Sequence, residues 1–530
     1  MSDLLKYLRT SIHLKPEQLI YRLYYSIKRK LKLRHLCGNY KYQEIETIPL
    51  KDLYIHNVPD KVYLKDNTFT FLNKPKRFNN DLIDWNFMDY GLLWAYNLNY
   101  FDFLFSRNVN YKTGYELIKD YIKSFKKNTI GPQSYPTSIR GINWIKFISL
   151  NNINDSLINS HLFCQYKNLN SNIEYDISGN HLIENACSLL FAGIYFRNTT
   201  FYKTGEKILS RELKEQVLND GAHYELSPMY HNIILYRLVD LLILLENNNN
   251  TDYSLSNLLM SKMRIMMQWS CYFTFPDGRF PKFGDSTYDI APTYYQLREM
   301  ASSNAIKVPN TIKYSPNESG FRKFVLENIT VIIKTSNILA THQPGHIHND
   351  VLSFEMYYKD KPVIVDTGVS TYEDNARRHL ERSIHSHNSI IIDNYEPNEL
   401  WKSFRVGRRA RSEIICDSKS TISVISNRYL ARRKKQHRTV IIEHNSIRII
   451  DRLINCNKSE CFSLIHFHPS FAFTIEKNRV LSDDIIIVFN GYEKLNIRDY
   501  YYSFGFNKTE RACMLISNVN PISEIEIIEK

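Results

Sequence analysis

The stretch "RKFVLENITVIIKTS", residues 322–336, marks the point where the chain changes period. Its apolar residues recur every second position around a polar Glu327-Asn328 turn, which predicts two short strands. The same alternation continues in "LSFEMYYKDKPVIVDTG" (352–368), "STISVISN" (420–427), "RTVIIEHNSIRIIDRL" (438–453), "CFSLIHFHPSFAFTIE" (461–476) and "DDIIIVFNG" (483–491). Upstream, from about 88 to 275, apolar residues return at three and four spacing instead. "NHLIENACSLLFAGIYF" (180–196) and "SPMYHNIILYRLVDLLILLE" (227–246) are two such helices, the second opened by Ser227 as cap and Pro228 at the first helical position. The order is therefore helices, then antiparallel strands. The expected divisions are an N-terminal, partly helical extension (1–84), a helical domain (85–315) and a β domain (316–530), with a linker within "ASSNAIKVPNTIKYSPNESG" (301–320).

A chain of 530 residues is too long for one ordinary core, and 43% hydrophobic with 23% charged residues fits a folded protein. The net charge of +13 points to an anionic partner. Nothing resembles a zinc finger, a basic zipper or an RNP strand, so nucleic acid is not the expected partner. The densest basic cluster, "RRKKQHR" (432–438), reads either as a binding patch or as a solvated strand edge. The eight cysteines form no CxxC pair and no disulfide framework. No secretory signal opens the chain, so a cytoplasmic setting is expected. The basic, Tyr/Leu-rich first 32 residues leave peripheral association with the inner membrane face, or docking on another subunit, open. The sequence sets no oligomeric state.

Three constellations carry chemistry. In "GHIHND" (345–350), a strand would put His346 and His348 on one face, with Asp366 ending the partner strand and His387 starting another. Imidazoles plus a carboxylate suit zinc, so His348, Asp366 and His387 form a candidate three-ligand site; a hairpin with ordinary polar edges is the alternative. Asp350 would orient a histidine. In "NHLIEN" (180–185), His181 and Glu184 share a helical face behind Asn180, although a capped, polar helix start explains them equally. In "DGAHYELSPMYH" (220–231), Tyr230 sits in a first helical turn, where positive potential would lower its pKa; packing is the plainer account.

Together with "WAYNLNYFDFL" (94–104), "YPTSIRGINWIKF" (135–147), "VIVDTGVSTYE" (363–373) and "RSIHSHNSIIID…ELWKSFRVG" (382–407), these segments resemble the heparinase II/III-like polysaccharide lyases. The resemblance implies a multidomain α+β chain: an incomplete α/α toroid followed by an antiparallel β-sandwich, with an acidic polysaccharide or oligosaccharide held between them. It implies β-elimination beside a uronate carboxylate. Asn180, His181 and Glu184 would neutralise that carboxylate, Tyr230 would be base, acid or both, and His346 would be the second acid/base. His348, Asp366 and His387 would hold zinc or another divalent cation, structural or tuning His346. Arg140, Trp144 and Arg405 are candidate glycan contacts, with a buried ion pair and a core Trp as the alternatives for the first two. His466 and His468, which also share a strand face, are read as structural, or at most cleft-lining. A uronate C5-epimerase and a non-catalytic glycan-binding or assembly protein are the rivals to a lyase. Work on a bacterial surface polysaccharide, in biosynthesis or trimming, is the expected setting, and sulfated animal glycans are not.

Overall fold

A computed structural model describes residues 3–31, 44–79, 82–248, 253–308, 318–428, 430–431, 433–456 and 460–530. The expected boundary at 315/316 lies outside the described residues. Helices α1 (Asp3–Ser11) and α2 (Pro16–Lys30) come first. A small sheet follows, formed by β1 (Tyr63–Leu64), β2 (Thr68–Phe71) and β3 (Lys74–Arg77), which the helical periodicity did not announce.

The helical domain runs α3 (Leu92–Tyr100), α4 (Tyr111–Ser124), α5 (Ser134–Leu150), α6 (Ser156–Asn170), α7 (Asn180–Tyr195), α8 (Thr199–Gln216), α9 (Pro228–Asn247), α10 (Tyr253–Tyr272) and α11 (Tyr294–Ser303). The odd-numbered helices pack in succession, α3 on α5, α5 on α7, α7 on α9 and α9 on α11, forming the inner arc of an incomplete α/α toroid. Even-numbered helices pack behind them, α4 on α6 and α8 on α10. Helices α5, α7 and α9 are buried nearly all round because both of their faces are covered, whereas α11 keeps Tyr295, Gln296, Arg298 and Glu299 exposed. Among the described residues, helix α9 alone is long and apolar enough to cross a membrane, but its most apolar window is 83% buried inside the structure.

The β domain opens with the antiparallel sheet β4 (Phe321–Leu326), β5 (Ile329–Lys334), β6 (Phe354–Tyr358) and β7 (Lys361–Ile364). Strand β5 is buried at every residue, and the reason lies on its two faces. Ile329, Val331 and Ile333 enter the sandwich core beside Ile449, Ile487 and Ile525. Ile332 points the other way, into a cluster with Trp269, Phe273 and Phe283 of the helical side. One strand thus seals both the sandwich and the joint between domains. The second sheet is organised by the last strand, Lys508–Glu529. Its first half pairs with Cys461–His466 and Asn496–Gly505, and its second half with Ser446–Ile454 and Ile485–Tyr492. Pro521 lies where the partners change, a position that needs no ladder N–H.

The "RRKKQHR" cluster does not act as one patch. Arg432 lies outside the described residues, Lys434 pairs with Asp393, and Arg438 is fully buried against Asp451.

Candidate active site

A cleft of about 1460 Å³ opens between the toroid and the sandwich. Asn180, His181, Glu184, Tyr230 and His346, the five candidate catalytic residues, all line it. Asn180 is the first residue of α7 rather than its cap. The cap is Gly179, at φ 65°, where a Cβ would lie 2.5 Å from Glu225 Oε1 and 3.0 Å from Gln343 Cγ. That close approach brings α7, the loop before α9 and the β-domain loop to one point. Asn180 Oδ1 is buried and has no hydrogen-bond partner among the described residues.

His181 Nδ1 lies 3.0 Å from Glu174 Oε1, and its ring leans on Tyr135 at 4.4 Å. Burial disfavours the imidazolium, yet Glu174 outweighs it and raises the His181 pKa. Glu184 is committed elsewhere: Arg237 Nε donates to its Oε2 at 2.9 Å. Arg237 also bonds Asp240, which accepts from Lys146 Nζ at 2.6 Å. Burial still pushes the Glu184 carboxyl upward against the pull of Arg237. The cation that this network presents to the cleft is Arg237, which sequence reasoning missed.

Tyr230 stands in the first turn of α9, its N–H donating to Ser227 Oγ. Its ring stacks on the His346 imidazole, with centroids 3.6 Å apart and planes 14° from parallel. The phenol oxygen lies 3.4 Å from Tyr372 Oη. The expected lowering of its pKa is reversed. Burial, with Asp285 and Glu225 nearby, raises it well above the ordinary phenol value, outweighing the helix start. His346 Nδ1 pairs with Glu225 Oε2. Burial alone would raise the Glu225 pKa, but His346, His223 and the Asn180 N–H hold it low, so the carboxylate stays charged. Glu225 lies inside a quoted motif, yet its partner is 121 residues away and no spacing reveals it.

His346 and His348 lie not on a strand but on the irregular segment before β6, and His385 and His387 likewise precede their strand. His348 Nε2 meets Asp285 Oδ1 at 2.8 Å, and His387 Nδ1 meets Asp366 Oδ2 at 2.7 Å. The two rings are 5.5 Å apart. Among the described residues, each keeps one buried nitrogen without a hydrogen-bond partner, Nδ1 of His348 and Nε2 of His387. Two such nitrogens fit a divalent cation, and the carboxylates behind them fit the usual orienting role. Asp366, however, is bonded to the other nitrogen of His387. Among the described residues no group of three His, Cys, Asp or Glu is set to hold a metal ion. Burial lowers the His348 pKa to about 4 despite Asp285, and Asp366 raises that of His387 against burial. Asp350 orients no histidine: it accepts from Lys334 Nζ at 2.7 Å and from the Gly284 N–H at 2.8 Å, fixing the loop that carries Asp285.

The three candidate glycan contacts are corrected. Arg140 is fully buried, donating to Gln165 Oε1 at 2.6 Å and to the Asn99 carbonyl at 3.1 Å. Trp144 is fully buried against Phe101 and Tyr121. Both sit on α5, whose surface is covered nearly all round, so no face is left for a sugar. Arg405 stacks between Tyr7 and Trp401, at 5.1 and 5.3 Å, holding α1 to the β domain. Phe404 lines the cleft instead, with Tyr54, Tyr96, Tyr100, Tyr236 and Tyr288. His466 is structural, as expected, bonded to Asn388 and the His385 carbonyl.

The family pattern "Heparinase II/III N-terminus" matches residues 137–305 and "Heparinase II/III-like, C-terminal" matches residues 313–525. A heparin-sulfate lyase of Pedobacter heparinus is 27% identical over 259 residues, 42% of this chain and 37% of that protein. A heparin-sulfate lyase of Bacteroides thetaiotaomicron is 28% identical over 263 residues, 41% of this chain and 37% of that protein. The match thus spans less than two fifths of each curated relative. The crystal structure of heparinase III superposes with a TM-score of 0.69 at 16% identity, covering 97% of this chain and 92% of that one. A heparan sulfate lyase from Pedobacter heparinus gives 0.54 at 17%, covering 88% and 82%. At these identities the structural likeness shows the fold: an α/α toroid followed by an antiparallel sandwich.

Proposed function

The chain belongs to the heparinase II/III-like family, and on that premise we propose that it cleaves a uronate-containing acidic glycan by β-elimination. The observation that carries this is the stacked Tyr230–His346 pair, with Glu225 behind it and Asn180 and His181 in the same cleft. His346, its Nδ1 tied to Glu225, takes the C5 proton. The C5–H electron pair becomes the C4=C5 double bond, the C4–O4 bond breaks, and O4 receives the proton that Tyr230 has kept. A phenol whose pKa is raised suits the acid role better than the base role. Asn180, His181 and Arg237 stabilise the charge developing on the carboxylate, with Glu184 positioning Arg237. Stacked groups act on one face of the sugar, which favours elimination over C5 epimerisation, where acid and base must face each other across the ring.

The charge of the cleft bears on the substrate. Its lining holds three basic residues (Lys61, Arg237 and Arg279) against five acidic ones (Asp102, Glu184, Asp289, Glu299 and Glu373). A densely sulfated chain would find the acidic side chains outnumbering Lys and Arg there, whereas tyrosines suit neutral sugar faces. The reading is therefore a sparsely charged glycan, in the making or trimming of a surface polysaccharide. Uronate glycans with and without sulfate are the test. We expect ultraviolet absorbance from the conjugated double bond to rise on the unsulfated ones, at least tenfold faster than on heparin. A preference for heparin would overturn the substrate class. No rise on any of them, with solvent deuterium entering C5, would replace elimination by epimerisation.

The reading includes a divalent cation, zinc first, held by His348 Nδ1 and His387 Nε2, with Asp285 and Asp366 orienting the two rings. Such an ion would tie the loop carrying His346 to the segment before the strand Ile390–Ile392. Elemental analysis of the purified protein is expected to give about one zinc per chain, lost in His387→Ala. Zinc absent from the native protein, and not taken up on addition, would leave these histidines to their carboxylates.

A further inference from the structure

Helices α1 and α2 are amphipathic the wrong way round for a packed element. We propose that they form a platform that lies on an anionic phospholipid bilayer. The only buried residues of the two helices are Gln18 and Lys28, both polar. The inward contacts are mainly polar, joined by two ring contacts, Tyr7 on Trp401 at 4.7 Å and Tyr21 on Tyr175 at 4.5 Å. Gln18 donates to the Ile177 carbonyl at 3.1 Å, Arg22 to the Asp176 carbonyl at 3.2 Å and Lys28 to the Ser171 carbonyl at 2.9 Å. Arg9 pairs with Glu399 at 2.8 Å. The apolar side chains point outward. Leu4, Leu8 and Ile12 recur at four spacing, and Ile20, Leu23 and Leu31 continue on α2 and its end; these six are 55–75% exposed. A helix normally buries such a stripe against its own core.

Charge selects the occupant. Residues 1–43 hold ten Lys and Arg against two Asp and Glu, a net of +8 within the chain's +13; Arg9, Lys15, Arg22 and Lys28 make inward contacts, while Arg29 and Lys30 are exposed. An apolar face in a strongly basic segment matches the headgroup and acyl boundary of an anionic leaflet. A second copy docking through the same face would bring like charge against like charge. A polyanionic glycan would use the basic residues and leave the Leu/Ile stripe in water.

The platform lies across the joint between domains. Its contacts run from residues 171–177 on the toroid side to His342, Glu399 and Trp401 on the β side. Ile177 and Gln343, beside those contacts, line the cleft. Docking would therefore hold the cleft close to the lipid surface, as suits a glycan attached there. The placement follows from α1 and α2 alone and does not depend on the lyase reading.

Flotation of the full chain with vesicles tests it. Phosphatidylcholine vesicles containing roughly one third phosphatidylglycerol are expected to carry the protein at least tenfold better than phosphatidylcholine alone, with the difference shrinking at high salt. The variant Leu8→Ser/Ile20→Ser/Leu23→Ser is expected to lose at least tenfold in binding with its thermal midpoint unchanged, since these side chains face outward. Failure of the native chain to float on the anionic vesicles would overturn the proposal. So would sedimentation as a concentration-dependent dimer that the same variant abolishes, which would assign the face to a second copy.

Discussion

Tyr230→Phe is expected to reduce turnover by about a thousandfold while leaving glycan binding within about twofold. The change removes one oxygen. The ring that stacks on His346 at 3.6 Å remains, as does the N–H bond to Ser227, so the fold and the cleft wall persist. What is lost is the proton for O4. No neighbour replaces it easily. Tyr372 Oη lies 3.4 Å from the Tyr230 oxygen and is itself buried, with its pKa raised well above the ordinary value. Glycan binding by calorimetry and initial rates on the best substrate of the panel separate the two effects. Tyr372→Phe is the control and should cost less than tenfold. Activity retained in Tyr230→Phe would remove the phenol from the chemistry and move the acid role to His346 alone.

The order of helices and strands was legible because each period is repeated many times, and one odd segment cannot hide it. The five cleft residues were legible only through the resemblance. By spacing alone, Asn180 reads as a cap and Tyr230 as packing, and their convergence depends on Gly179, whose left-handed backbone lets Glu225 and Gln343 come close. Glu225, Arg237 and Asp285 escaped because their partners lie 121, 53 and 63 residues away in the chain. Arg140 and Trp144 were misassigned for a related reason. Side-chain type suggests sugar recognition, but α5 is an inner helix covered on nearly every side, and full enclosure of a helix leaves little trace in its periodicity. The histidines of "GHIHND" were placed on a strand because alternation extends upstream of β6. The chain there bends instead, so that the Asp285 N–H can donate to the His346 carbonyl at 2.9 Å.

Asp285→Ala is expected to cost about 3–5 kcal/mol of stability, the usual loss when one member of a buried ion pair is removed. Asp285 is fully buried and holds three bonds from two partners: Arg378 Nη1 at 2.5 Å, Arg378 Nη2 at 2.8 Å and His348 Nε2 at 2.8 Å. Burial opposes its charge, yet Arg378 and His348 hold its pKa far below the ordinary carboxylate range. Removing it strands a buried guanidinium. By contrast, Arg448 and Glu443, a partly exposed pair, should contribute less than about 1 kcal/mol. The local consequence reaches the cleft. Arg378 belongs to α12 (Ala376–Arg382) and lies 4.9 Å from the Tyr372 ring and 5.1 Å from the Phe404 ring, both cleft walls. An unanchored Arg378 lets those rings shift, and with them the partner of the Tyr230 hydroxyl. Urea unfolding should therefore show the lost stability, hydrogen exchange should accelerate first at α12, and turnover should fall at substrate saturation. Asp285→Ala/Arg378→Met should recover part of the stability, because the stranded charge is gone, but not the turnover, because Tyr372 and Phe404 still lack their support. A single-variant loss below about 1 kcal/mol would mean that water reaches Arg378 and that the pair does not anchor this wall.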